Sequence, residues 1–214
     1  MTWICSLEKH EPLSEFVSRF NPMAKEHLIV GLTGASGAFA TKLLLERSTW
    51  PITLITSQMG RVVYEQEVGP LAELEKKATM VWDDADLTAP IASGSVLTAG
   101  MVLLPCSANT LGKMGAGIAD SLITRAAHCQ LKEGRKTVFC VREAPWTLMN
   151  IRSAESIVLA GGTIMPLSPP FYMTKDRNPN QVSMTEILTH YVDHLLAFFG
   201  QEPNKTWSDI REEG

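Results

Sequence analysis

Short apolar runs alternate along this chain with stretches of helical spacing, and that alternation predicts an α/β domain. The run Leu28, Ile29, Val30, Leu32 predicts a buried strand. It breaks into the small residues Thr33 to Ala38, and helical spacing resumes at Phe39, Leu43 and Leu44. Further strands are expected over Ile52 to Thr56, Gly100 to Leu104, Lys136 to Val141 and Thr163 to Met165, five in all with the first. Helical sequence follows each: Arg61 to Lys77 with a break near Gly69-Pro70, a helix capped by Ser107 or Asn109 and running through Leu111, Met114 and Ile118, then Ala119 to Lys132, Thr147 to Leu159, and Val182 to Phe199. Val81-Trp82 reads only as a brief apolar patch before the acidic turn of Asp83, Asp84 and Asp86.

Alternating strands and helices predict a parallel sheet covered on both faces, with right-handed crossovers that bring the carboxyl ends of the strands to one edge. That edge collects Gly34 to Gly37, Ser57, Pro105 to Thr110, and Arg142 with Glu143. A shared site is expected there, because open α/β sheets bind ligands outside their carboxyl ends.

With 214 residues, 45% hydrophobic and 20% charged, the chain suits one globular domain, expected over residues 26–200 between an N-terminal extension (1–25) and a polar tail (201–214). The net charge of -4 leaves no electrostatic footprint for nucleic acid or an anionic membrane. No apolar run approaches the roughly 18 residues of a membrane span, and the N-terminus reads as no signal peptide. Four scattered cysteines, Cys5, Cys106, Cys129 and Cys140, lack zinc spacing and suit reduced thiols in a cytoplasmic protein.

The junction Thr33 to Ala38 places free N–H groups of a helix start after a strand, an anion site by geometry and dipole. It is neither the dinucleotide fingerprint nor the ATPase loop, so it is open between a phosphate cradle and a plain packing turn. Ser107 and Asn109 are open in the same way between helix capping and ligand contact, and Glu65 and Glu67 between surface charge and function. Arg142 offers phosphate a planar fork, with Lys132, Arg125 and the phenol of Tyr172 as further polar candidates. The five histidines stand outside the junction loops, so no Ser-His-Asp arrangement or metal cluster is read, and no metal is expected.

GLTGASGA, the ASGS loop of residues 92–95, GMVLLPCSANTL from Gly100, GIADSLITRAAHCQLKEGRKTV from Gly117, REAPWTLMNI from Arg142 and GGTIMPLSPPFY from Gly161 together resemble the flavin prenyltransferase family of UbiX-like flavoproteins. The resemblance runs from about Leu28 to Gly200 with the motifs in the same order. It implies a Rossmann-like three-layer α/β sandwich, a homo-oligomer that is usually a dodecamer, and an FMN site formed between subunits. It also implies a metal-independent transfer in which reduced FMN is alkylated at N5 by dimethylallyl phosphate and closed at C6, giving prenylated FMN for UbiD-type decarboxylases.

By the same resemblance, Gly34, Ala35 and Ser36 match the first flavin loop, Ser57 a flavin-contacting serine, Ser107, Ala108, Asn109 and Thr110 the second loop, and Arg142 a flavin-contacting arginine. Tyr172 and Lys132 match residues around the prenyl phosphate, Ser95 stands with the substrate contacts, and Arg125 is the arginine of the TRAA segment. Glu143 matches the acid beside the leaving phosphate. Glu67 is the candidate for handling a ring proton, with Glu65 the alternative. One departure is His194, which stands where the family carries arginine or lysine against the prenyl phosphate. A histidine, with an unperturbed pKa near 6.5, is a weaker and pH-dependent phosphate ligand. It favours the alternative expectation, a flavin or prenyl-flavin carrier without transfer activity. Peptidyl-cysteine decarboxylation is disfavoured, because no histidine follows the first glycine loop.

Overall fold

The computed structural model describes residues 27–168 and 178–202. The expected extension over residues 1–25, the tail beyond residue 202 and Tyr172 lie outside the described residues. Six parallel strands form one sheet: β1 (Leu28–Leu32), β2 (Ile52–Thr56), β3 (Met80–Asp83), β4 (Gly100–Cys106), β5 (Lys136–Val141) and β6 (Thr163–Ile164), in the order β3-β2-β1-β4-β5-β6. The helices are α1 (Phe39–Arg47), α2 (Gln58–Glu67), α3 (Leu71–Glu75), α4 (Ala108–Gly115), α5 (Leu122–Lys132), α6 (Leu148–Leu159) and α7 (Met184–Phe199).

Successive strand residues point to opposite faces, so continuous apolar strands need cover on both sides. Leu28, Val30, Leu54, Val102 and Val138 pack on one face with α1, α3 and α7. Ile29, Ile55, Met101, Leu103 and Phe139 pack on the other with α4, α5 and Ile157 of α6. Leu54 and Ile55, neighbours in β2, are both fully buried on opposite faces. Each contributes roughly 1.5–3 kcal/mol by burial. The result is the three-layer sandwich expected, with the chain order reversing between β1 and β4, where doubly wound sheets open a crevice.

β3 corrects the five-strand expectation. Only Met80 and Trp82 of its four residues face the core, and Thr53 to Thr56 of β2 align with Met80 to Asp83. A short edge strand with two inward side chains leaves almost no periodic signal. Two helix starts also move by three residues. α2 begins at Gln58 rather than Arg61 because Ser57 Oγ accepts the Gly60 N–H at 3.0 Å. α5 begins at Leu122, with Ser121 and Thr124 forming its capping box.

α7 ties the far end of the domain together. Asp193 pairs with the guanidinium of Arg47 at the end of α1, and Lys136 Nζ donates to the Phe198 carbonyl at 2.7 Å. Gln201 is buried, and its side-chain oxygen accepts from Thr49 N at 2.9 Å, so the packed body includes it.

Candidate active site

The carboxyl ends of β1, β2 and β4 open onto a cleft of about 470 Å³. Thr33, the first residue past β1, stitches two of its walls. Its Oγ1 donates to the Pro105 carbonyl at 2.7 Å and accepts from Ser107 N at 2.8 Å. Buried bonds of this kind contribute about 1 kcal/mol each and hold the first loop in register with the second.

Gly34 lines the cleft beside Met59, and a Cβ there would stand 2.5 Å from Met59 Cβ. Glycine is what lets the start of α2 close against the first loop. Gly37, at φ 96°, turns the chain into α1 in a conformation that favours glycine. Leu167 packs where its side chain would be.

Helix starts supply most of the polar lining. Ser57 caps α2, and Ser107 caps α4 by accepting Thr110 N at 3.2 Å while its hydroxyl pairs with that of Thr110 at 3.0 Å. Two other helix starts are held by carboxylates. Glu67 accepts from Gly37 N and Ala38 N at 2.9 Å each, on α1. Asp84 holds α5, its carbonyl accepting from Leu122 N and its carboxylate from Ile123 N, both at 2.7 Å.

The residues expected from sequence fall into three groups. Gly34, Ser57, Ser107, Asn109 and Thr110 line the cleft together. Ala35 and Ser36 stand beside it in the first loop, whose Ala35 N donates to the Thr33 carbonyl at 2.9 Å. Ala108 faces the adjoining hollow between α4 and α6. Arg142 and Glu143 follow β5 at the same edge. Arg142 N donates to the Cys106 carbonyl at 3.1 Å, and the Glu143 carboxylate accepts from Ala144 N at 3.1 Å, but neither side chain lines the cleft.

The third group lies elsewhere in the protomer. Arg125 is exposed and donates through Nε to the Ala92 carbonyl at 3.0 Å. Ser95 is exposed and pairs with Ser93 at 2.9 Å. Lys132 ends α5, four residues before β5 begins, and so stands at the opposite edge of the sheet. Its Nζ lies 3.3 Å from Glu133, beside a hollow of about 380 Å³ shared with His128. Burial, and then Arg125, push His128 below the usual histidine range. His194 is exposed on α7, on the other face of the sheet, next to the Asp193 that binds Arg47. Within one protomer, Lys132 and His194 meet neither each other nor the cleft, against the expectation that both flank one phosphate. Helices that follow strands run back toward the amino edge, so residues near their carboxyl ends finish there.

Sequence reading missed Asp84, Met59, Lys113 and Ile123, all of which line the cleft together with Thr33 of the first junction. Lys113 is the one cationic side chain among its described lining residues, and Nζ lies 2.8 and 2.9 Å from the two carboxylate oxygens of Asp120. That bond holds the Asp120 carboxyl below its usual range. Thr110 and Lys113 are three residues apart on one helix face, a spacing that could have signalled a lysine reaching the same ligand. Cys106 lies under the second loop, and burial pushes its thiol well above the usual range, so it is held as a neutral thiol and not as a nucleophile.

The donor set fits a flavin mononucleotide. Hydroxyls and helix N–H groups suit a ribityl phosphate, and Met59 and Ile123 give apolar contact for a ring. Thr56 Oγ1, at the end of β2 beside Ser57, is buried with no hydrogen-bond partner among the described residues, a further polar atom at this edge.

Comparison with known proteins agrees with this geometry. The family model described as Flavoprotein matches residues 18–162. The flavin prenyltransferase UbiX of Deinococcus radiodurans is 39% identical over 183 residues, covering 84% of this chain and 91% of that relative. The flavin prenyltransferase UbiX of Escherichia coli K12 is 41% identical over 179 residues, covering 81% and 92%. Among solved structures, AnUbiX in complex with FMN and dimethylallyl pyrophosphate superposes with a TM-score of 0.79 at 28% identity, covering 85% of this chain and 97% of that one. A dodecameric FMN-dependent UbiX-like decarboxylase from Escherichia coli O157:H7 superposes with a TM-score of 0.76 at 34% identity, covering 84% and 98%.

Proposed function

This chain belongs to the flavoprotein family, in its flavin prenyltransferase group, and from that premise we propose that it joins a dimethylallyl group from dimethylallyl phosphate to reduced FMN. The product is prenylated FMN, delivered to a UbiD-type decarboxylase. The observation that carries the reading is the 39% identity to a flavin prenyltransferase across 91% of that relative's length.

Bound reduced FMN supplies the nucleophilic positions, N5 and C6. In the transfer, a bond from N5 to the allylic carbon would replace the carbon–oxygen bond to phosphate with loss of the N5 proton, and a bond from C6 to the tertiary prenyl carbon would close the ring as the prenyl double bond takes up a proton and C6 gives one up. The protein's own share is positioning and charge. Ser57, Ser107, Ala108, Asn109 and Thr110 hold the flavin with Gly34, Ala35, Ser36 and Arg142. Glu143 delivers a proton to the departing phosphate. Glu67, already fixed at the start of α1, takes the ring proton. Lys132, Tyr172, His194 and Ser95 are assigned to the prenyl phosphate and Arg125 to the catalytic set, with Lys132, Arg142 and Tyr172 stabilising the charge that builds on the leaving oxygen.

Because Lys132 and His194 stand away from their own cleft on opposite faces, they serve clefts of neighbouring copies. The reading therefore includes a homo-oligomer whose reactive centre is completed between subunits, and one solved relative is dodecameric. The described helices include none long and apolar enough to cross a membrane, and the described cysteines are free thiols, which supports a cytoplasmic setting.

The reading is tested by coupling. The chain is incubated anaerobically with reduced FMN and dimethylallyl phosphate, and the small-molecule filtrate is added to an inactive UbiD-type apo-decarboxylase. Decarboxylation appears only when both co-substrates were present. A filtrate that activates nothing, from a chain that binds FMN, would support the carrier reading favoured by His194.

A further inference from the structure

Four helix starts crowd the cleft edge, and their caps differ in charge. The starts of α1 and α5 already carry carboxylates, from Glu67 and Asp84. Those of α2 and α4 carry only the neutral hydroxyls of Ser57 and Ser107. A phosphate dianion is repelled by the first pair and attracted by the second. Lys113 lies on the α4 side of this division, on the helix face that also carries Thr110. Side chains on a helix lean toward its N-terminus, so the lysine stem leads back toward the Ser107 cap.

Resting on the reading that flavin mononucleotide occupies this cleft, we propose that Lys113 is the counter-ion of the flavin phosphate and the residue by which the site selects FMN over riboflavin. Asp120 is its partner when no phosphate is bound. The pair has Nζ centred between the two carboxylate oxygens, at 2.8 and 2.9 Å, and Asp120 sits in the exposed turn leading into α5. The lysine side chain is one-third exposed and Asp120 about half, at 32% and 53%. The pair is therefore solvated enough to exchange one anion for another at small cost. Lys113 binds FMN by leaving Asp120, and Asp120 competes with the phosphate.

The test is a set of affinities for FMN and riboflavin, read by flavin fluorescence in the full chain, for wild type, Lys113→Met, Lys113→Arg and Asp120→Asn. Lys113→Met is expected to weaken FMN roughly ten- to a hundredfold, the loss of one charge-assisted contact, and to leave riboflavin unchanged. Lys113→Arg restores most of the preference. Asp120→Asn, which frees the lysine, tightens FMN relative to riboflavin. If Lys113→Met and Asp120→Asn weaken both flavins equally, the pair is only a strut for the turn and the proposal is overturned. If wild type binds FMN and Lys113→Met keeps the same FMN to riboflavin ratio, the proposal fails while the flavin reading stands. If wild type binds neither flavin, both fail.

Discussion

At Gly34 a single absent methyl group decides how closely α2 approaches the first loop. Gly34→Ala places a carbon 2.5 Å from Met59 Cβ, so loop or helix must move. The expected outcome is FMN affinity lowered at least about tenfold by fluorescence titration, with the circular dichroism of the fold retained. His27 makes a different kind of prediction. It is fully buried before β1, with Nε2 2.8 Å from Thr53 Oγ1, and burial lowers it from 6.5 to about 4. Between those values the unfolded chain takes up a proton that the folded chain refuses. This contribution to stability is complete above about pH 6.5 and is lost as the pH falls toward about 4, at up to about 1.4 kcal/mol per unit. Denaturant unfolding at about pH 7.5 and about pH 5 should show roughly 2 kcal/mol less of this loss in His27→Gln than in wild type. Residues at strand ends, such as Ser57, Ser107 and Thr110, were legible because strand and helix periodicities locate the junctions. Lys113 was not, since a lysine inside an amphipathic helix looks like any solvated charge until Asp120 and the cleft are placed beside it.

Among the elements, α1 owes its start to a residue thirty positions away. The Glu67 carboxylate satisfies the N–H groups of Gly37 and Ala38, which the Ala38 cap position leaves without a side-chain acceptor. Glu67→Ala removes both bonds and the charge at the positive helix end, and is expected to cost about 1 kcal/mol by denaturant unfolding. Glu67→Gln, which keeps an acceptor, should recover part of that stability but none of the proton handling proposed for this residue. The contact also shows why the first loop was only half legible. Its backbone geometry predicted an anion site, and the anion that the fold supplies there is its own glutamate. β3 was illegible for the opposite reason, too few inward residues to form a pattern, yet its continuation into Asp84 caps α5 and closes one side of the cleft.

For the whole molecule, the motifs told more about the family than about which residues of one protomer meet. Lys132 belongs to a matching motif and His194 stands at a family position, but three-dimensional placement puts them on opposite faces and at the amino edge of the sheet. If they serve neighbouring clefts, activity is a property of the assembly. Co-expression of Lys132→Ala chains with Ser107→Asp chains should restore prenyl transfer that each lacks alone. Ser107→Asp keeps the helix cap while repelling the flavin phosphate from its own cleft. Without rescue in mixed oligomers, Lys132 is not acting between subunits. The exposed apolar residues of α6, Met149 at 79% and Leu159 at 82% among them, suit burial against another copy. Charged replacements there should lower the assembly mass measured by light scattering. The central claim, prenyl transfer to flavin, is tested most directly by the mass and absorbance of the flavin after anaerobic incubation of the wild-type chain with reduced FMN and dimethylallyl phosphate. A flavin heavier by one prenyl unit, with release of one phosphate for each, is the predicted result. Bound FMN of unchanged mass across about pH 6 to 8, the range in which histidine titrates, would contradict it.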